Sequence, residues 1–284
     1  MRSDRQTSIL GAAVAALWLF FHTLPAMAHE YWLEPVGQRW SAGEQLQADV
    51  RNGEEFVGAP LPFDPAGLSR AGLISDSNRQ ALTGRLGDYP AFQMSLKEPG
   101  LNLLLLETTQ RELRYADFED FETFLNYHGL QGIVARHQAR GLPRENIVEH
   151  YYRYCKALID VSDPTGQASD STDNATPTRT APALAPQDQR LELIAERNPM
   201  QADSVRLQLW FEGRVQAGRQ VEMLYRSSDQ SVTRTVADTN DEGHVEFTLS
   251  ATGDYLFNSV KLVEPADTSA HWESHWASLF FRKN

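Results

Sequence analysis

Between Ser162 and Gln189 the chain loses every hydrophobic period. Ser-Asp-Pro-Thr-Gly is followed by Asp-Ser-Thr-Asp-Asn-Ala-Thr-Pro-Thr and then by Ala-Pro-Ala-Leu-Ala-Pro. These runs are too polar and too broken by proline to bury a face. The stretch 162–189 therefore reads as a flexible linker between two patterned regions, 29–161 and 190–284. Each region is long enough to enclose a core of its own.

Both regions carry the alternation of half-buried strands. In the first, Gln45 to Val50 alternates polar with apolar, and Leu101 to Leu106 is a near-continuous apolar run after the turn signal Pro99-Gly100. Such a run suits a strand covered on both faces. In the second, Val205 to Phe211, Gln220 to Tyr225, Val245 to Leu249 and Tyr255 to Val260 follow one another, separated by turns at Glu212-Gly213, Asn240-Asp241-Glu242-Gly243 and Gly253-Asp254. Short strands at this spacing predict a mainly β chain of two immunoglobulin-like β-sandwich domains.

A helical segment over 117–158 interrupts the first domain. Phe118, Phe121, Phe124, Leu125, Leu130, Ile133 and Val134 recur at helical spacing. Asp117 suits an N-cap, and Gly129 and Gly141 suit C-terminal caps, which predicts two short helices. A third helix is expected from Pro143 to about Leu158, with Ile147, Val148, Tyr151, Cys155 and Leu158 on one face. Cys155 is the single cysteine, so no intramolecular disulfide can form, and its apolar neighbours make it a packing residue.

Residues 1–28 read as a secretory signal. Arg2 and Arg5 precede an apolar run from Ile9 to Phe21, and Ala26-Met27-Ala28 supplies the small-x-small pattern of a cleavage site. The expected destination is the periplasm or the medium. Without a second apolar segment or a cysteine at the cleavage point, no stable membrane anchor is expected. Removing Arg2, Asp4 and Arg5 with the leader takes the 26 basic and 38 acidic residues to 24 and 37, a net charge of −13. That balance argues against nucleic acid and suits a chain that meets cations.

Cleavage would make His29 the first residue, followed by Glu30-Tyr31-Trp32-Leu33-Glu34-Pro35. An N-terminal histidine offers its α-amine and its imidazole to one metal ion in a six-membered chelate ring, and the amine titrates near pH 8. Near the other end stands His271-Trp272-Glu273-Ser274-His275, which lacks the spacing of a zinc-protease motif. In a strand the two histidines share a face but stand roughly 13 Å apart, too far for a common ion. One of them could meet His29 across a sheet, or both could if the segment turns. The other reading turns Trp272 and Trp276 inward and leaves the histidines in solvent. His128 at a helix end and His137 on an apolar helix face read as packing residues, while His150 and His244 carry no spacing signal. Glu30, Glu34, Asp117 and Asp120 are carboxylates that could complete a site. No nucleophile elbow or phosphate-cradling loop is present, so no catalytic residue is assigned.

Several segments together resemble a family of secreted bacterial proteins known as a domain of unknown function and described as periplasmic components of cobalt and nickel uptake systems. The resemblance rests on His29-Glu30-Tyr31-Trp32-Leu33-Glu34-Pro35, on Phe121 with Phe124-Leu125 and Gly129-Leu130, and on Tyr152 to Leu158. It continues through Leu191-Glu192-Leu193 with Asn198-Pro199 to the ending Trp272-Glu273-Ser274-His275-Trp276-Ala277-Ser278-Leu279. The chain departs from the pattern at Phe280, where threonine is expected, and in its long linker. The resemblance implies a nickel- or cobalt-binding accessory that hands its ion to an inner-membrane transporter. The candidate ligands are His29, His275 and His271. Copper and zinc suit the same nitrogen donors, and copper is favoured on affinity alone. A metal-free adhesion or scaffold protein and a copper-dependent oxidative enzyme are the rival classes.

Overall fold

A computed structural model describes residues 29–163, 181–249 and 252–284. The expected signal, residues 1–28, lies outside them. The chain is mainly β and sandwich-like, and its strands stack in three layers. A ten-stranded sheet forms the middle layer. The front sheet sets Gln45–Glu54 between Glu30–Val36 on one side and Val57–Leu61 and Phe92–Ser95 on the other. The back sheet is built on Ser204–Phe211, flanked by Leu191–Ala195, Arg214–Val215 and His244–Thr248.

The middle sheet turns on one 18-residue strand, Glu145–Ser162. It runs parallel to Trp272–Lys283 on one side. On the other, its C-terminal part pairs antiparallel with Gly100–Thr108 and its N-terminal part with Arg111–Asp117. Gly253–Val263, Gln220–Arg226 and Val232–Asp238 extend the sheet beyond Trp272–Lys283, while Leu68–Ile74 and Arg79–Ala81 extend it beyond Gly100–Thr108. The regions before and after residue 189 thus share one hydrogen-bonded sheet, which joins what the sequence divides into two domains. Of the expected linker, 164–180 lies outside the described residues. The stretch 181–189 is packed: Ala183 and Leu184 are buried in the back core, and Gln187 donates its backbone N–H to Glu192 at 2.6 Å.

Side chains of the long strand alternate between the two cores. Cys155, Ala157 and Ile159 pack forward with Trp32, Leu46 and Phe92, while Tyr154 and Leu158 pack backward with Leu193, Leu207 and Phe281. Along Gly100–Thr108 the split is the same, Leu104 and Leu106 forward, Leu103 and Leu105 backward. A strand buried on both faces has no polar side, so its apolar residues also satisfy a helical template. For that reason the expected third helix, 143–158, is a strand. Asn146, at φ +53°, sits where that helix would need to propagate.

The two short helices are present, α1 at Phe118–Tyr127 and α2 at Gly132–Ala139. The Asp117 side chain caps α1 by accepting from the Asp120 N–H at 3.0 Å. Gly129 and Gly141 both take left-handed φ, and the N–H groups of Leu130 and Leu142 reach back to the carbonyls of Leu125 and His137. Each helix therefore closes in a Schellman turn. Together they cover a third core of Tyr115, Phe121, Phe124, Trp272 and Trp276. Replacing Asp117 by alanine is expected to cost about 1 kcal/mol, the usual worth of an N-cap, read as a lowered urea midpoint at unchanged m-value.

Candidate metal centre

Register fixes the surroundings of the first described residue. Glu30 pairs with Gly53 and Tyr31 with Asn52, so His29 falls opposite Glu54. His29 Nδ1 lies 3.1 Å from Glu54 Oε1, and both side chains are about half exposed. The neighbouring Glu30 points inward and is buried. Its Oε2 accepts from the Glu55 N–H at 2.9 Å. Burial, aided by the charge of Glu222, pushes its carboxyl up to about 8. Glu34 is held by Trp32 Nε1 at 3.0 Å and by the Arg226 guanidinium at 2.6 Å, which leaves it no role as a ligand. Asp117 is taken by its capping bond, and Asp120 lies in the first turn of the helix it caps.

His275 faces the other way. It points back toward Phe211 and stacks on Tyr152 and Tyr154, whereas Ser278 on the same strand points forward and donates to the Tyr31 carbonyl at 2.8 Å. The middle sheet stands between His275 and His29. Both nitrogens of His275 are engaged, Nε2 with Glu273 Oε1 at 2.9 Å and Nδ1 with the Tyr154 hydroxyl at 3.2 Å. Burial, with the charges of Arg190 and Lys261, pushes the imidazole down to about 3 and keeps it neutral. His271 uses Nδ1 to accept from the Val148 N–H at 2.8 Å, and its own N–H donates to the Val148 carbonyl. It closes the parallel ladder rather than approaching His29. The tryptophans of this segment are buried as the inward reading has them. That reading also left His275 in solvent, but the back sheet covers its face and it is wholly buried.

The remaining histidines pack or pair. His137 is buried, with Nε2 at 2.8 Å from the Pro143 carbonyl and Nδ1 accepting from Trp272 Nε1 at 3.0 Å. His128 lies among the rings of Phe124, Tyr127 and Trp276, and burial pushes it down to about 3. His150 faces Glu112 and His244 faces Glu196. Among the described residues no group of three or more His, Cys, Asp or Glu side chains is arranged to hold a metal ion. Of the His–carboxylate pairs among the described residues, His29 and Glu54 is the one that includes the expected N-terminal residue. Sequence reading missed Glu54, which only the register of the front sheet brings to His29.

The family model described as "Domain of unknown function (DUF4198)" matches residues 26–261. The chain belongs to that family. The DUF4198 match takes in His29, Glu30 and Glu54 and stops short of the strand that carries His275. No curated protein matches the chain. Among solved structures, the "D0-D1 domain of Intimin" is 8% identical, with a TM-score of 0.21 over 89% of this chain and 97% of that one. The "tetra-tandem repeat in extending region of large adhesion protein" is 9% identical, with a TM-score of 0.20 over 89% of this chain and 49% of that one. Among the described residues, no helix is long and apolar enough to cross a membrane.

Proposed function

We propose that this DUF4198 chain is a periplasmic transition-metal-binding accessory of a nickel or cobalt uptake system, with His29 as the primary ligand. The observation that carries the reading is the 3.1 Å approach of His29 Nδ1 to Glu54 Oε1 at a half-exposed position. When residue 29 is the terminal residue, the nitrogen that closes a six-membered ring with the α-amine is Nδ1. That is the nitrogen facing Glu54. An ion chelated there would meet the carboxylate as its third protein donor, with its other positions open for exchange. Two nitrogens and one oxygen suit nickel, cobalt, copper and zinc, so choice among them falls to geometry and supply. Few protein donors and an exposed position favour release over storage, as delivery to an inner-membrane transporter requires.

Calorimetry on protein beginning at His29, titrated with nickel, cobalt, copper and zinc, tests the reading beside a sample carrying one extra residue ahead of His29. Extension is expected to weaken binding by at least about 100-fold, more than the 10–100-fold loss of a group that only orients a ligand. Glu54→Ala, which removes a direct donor, should lose at least about tenfold, no less than the loss of an outer-shell partner, and affinity should rise with pH as the amine sheds its proton near pH 8. Equal affinity in the extended and authentic samples would overturn the assignment of the terminal amine. An absence of binding in both would overturn the function.

A further inference from the structure

Arg153 projects forward from the long strand into a cage of aromatic rings. Its guanidinium carbon lies 4.9 Å from the centroid of Tyr31, 5.0 Å from Tyr151 and 5.8 Å from Trp276. The residue is only 6% exposed. Its guanidinium makes one hydrogen bond among the described residues, from Nη1 to Asn52 Oδ1 at 2.7 Å. Nε is buried with no partner. A guanidinium has five donors in a planar fork, and burying them unpaired is costly. Glu149, the carboxylate whose charge acts on Arg153, has its own oxygens taken by Tyr115 and Ser274. Arg111, half exposed, adds a second positive charge beside Tyr31, partly offset by Asp64 at 3.4 Å.

We infer that Arg153, Tyr31 and Tyr151 form a binding site for a small carboxylate. The bond to Asn52 occupies Nη1 and leaves the Nε–Nη2 edge, whose two parallel N–H groups match the two oxygens of a carboxylate. Tyr31, Tyr151 and Asn52 are each half-buried and reach solvent, so the cage opens at the surface between the front sheet and the long strand. Aromatic faces hold the guanidinium in place before the ligand arrives, which lowers the ordering cost of binding. Arg153 is invisible to pattern reading because it sits in an aromatic run, Tyr151-Tyr152-Arg153-Tyr154, whose charge looks like an interruption of a core strand.

The site does not rest on the metal reading, and its test is run without metal. Sodium malonate is titrated into metal-stripped protein, with sodium chloride at matched ionic strength as the control. Binding is followed by calorimetry and by the Nε–H resonance of Arg153 in the ¹H–¹⁵N spectrum. The expected result is a saturable shift of that resonance with malonate and none with chloride. In Arg153→Lys, which keeps the charge but loses the fork, affinity should fall at least about tenfold, the equivalent of one charge-assisted hydrogen bond. If Arg153→Lys does not fold, the wild-type resonance decides alone. An Nε–H resonance that ignores malonate, or that moves equally with chloride, overturns the site and leaves an ordered water as the partner of Nε.

Discussion

Lys156→Met is expected to destabilise the fold by about 3–5 kcal/mol, the cost of leaving one half of a buried ion pair alone. Lys156 and Glu192 are 3% and 2% exposed and joined by a short hydrogen bond between Nζ and Oε1. The pair ties the middle sheet to the back sheet, since Lys156 stands on the long strand and Glu192 on Leu191–Ala195. Lys156 Nζ also reaches the Leu193 carbonyl at 3.2 Å, and Glu192 Oε1 accepts the Gln187 N–H at 2.6 Å. Removing the ammonium leaves a carboxylate in the core with one backbone donor. Adding Glu192→Gln neutralises that charge while keeping an oxygen for Gln187, so the double variant should recover at least half of the loss. Urea denaturation of the two variants measures both quantities. A single variant within about 1 kcal/mol of wild type would mean that Glu192 takes up a proton or that water reaches the pair.

How much of this was legible in the sequence depends on whether the deciding contact is local. The strand alternation at 205–211, the Asp117 cap and the glycine turns at 129 and 141 are set by neighbouring residues, and the structure bears them out. The long strand was not legible as a strand, because Ile147, Val148, Tyr151, Cys155 and Leu158 fit one helix face as well as two strand faces. The shared middle sheet was not legible either. Its parallel pairing of Glu149 with Trp272 through Leu158 with Phe281 joins segments more than 100 residues apart and leaves no turn signal. The departure at Phe280 is accommodated in the front core, edge-on to Phe56. His29 is legible from its place after the cleavage signal and from the family resemblance, whereas its carboxylate partner needs a register. Both readings of His275, as a ligand meeting His29 and as a solvated side chain, miss its burial, because a layer on the second face of its strand cannot be inferred from the strand itself.

Ionisation of Glu149 should cost the fold stability as pH rises from about 5 to about 8, against the opposite contribution of the buried neutral His128 and His275, so Glu149→Gln should gain on wild type across that range. Glu149 is completely buried where the long strand meets the helical layer. Its carboxyl accepts from the Tyr115 hydroxyl at 2.8 Å and from the Ser274 hydroxyl, which itself accepts from Trp276 Nε1 at 2.9 Å. Burial is the dominant influence and pushes the group up from 4.5 to about 7, against the opposing pull of those two hydroxyls and of Arg153. An acid whose folded value is raised holds its proton more tightly when folded, so the folded state binds more protons between the two values. The contribution of Glu149 to stability is therefore greatest below the unfolded value, near 4.5, and declines until the folded value, about 7, is passed. At about 1.4 kcal/mol per pH unit the full difference is about 3 kcal/mol. Glutamine keeps the shape and cannot ionise. Relative to wild type, the Glu149→Gln variant should gain about 2.5 kcal/mol in unfolding free energy between pH 5 and pH 8, the part of the full difference that falls in that window. Parallel wild-type and variant curves would show that Glu149 keeps an ordinary acidity and that water or Arg153 compensates its charge in the core.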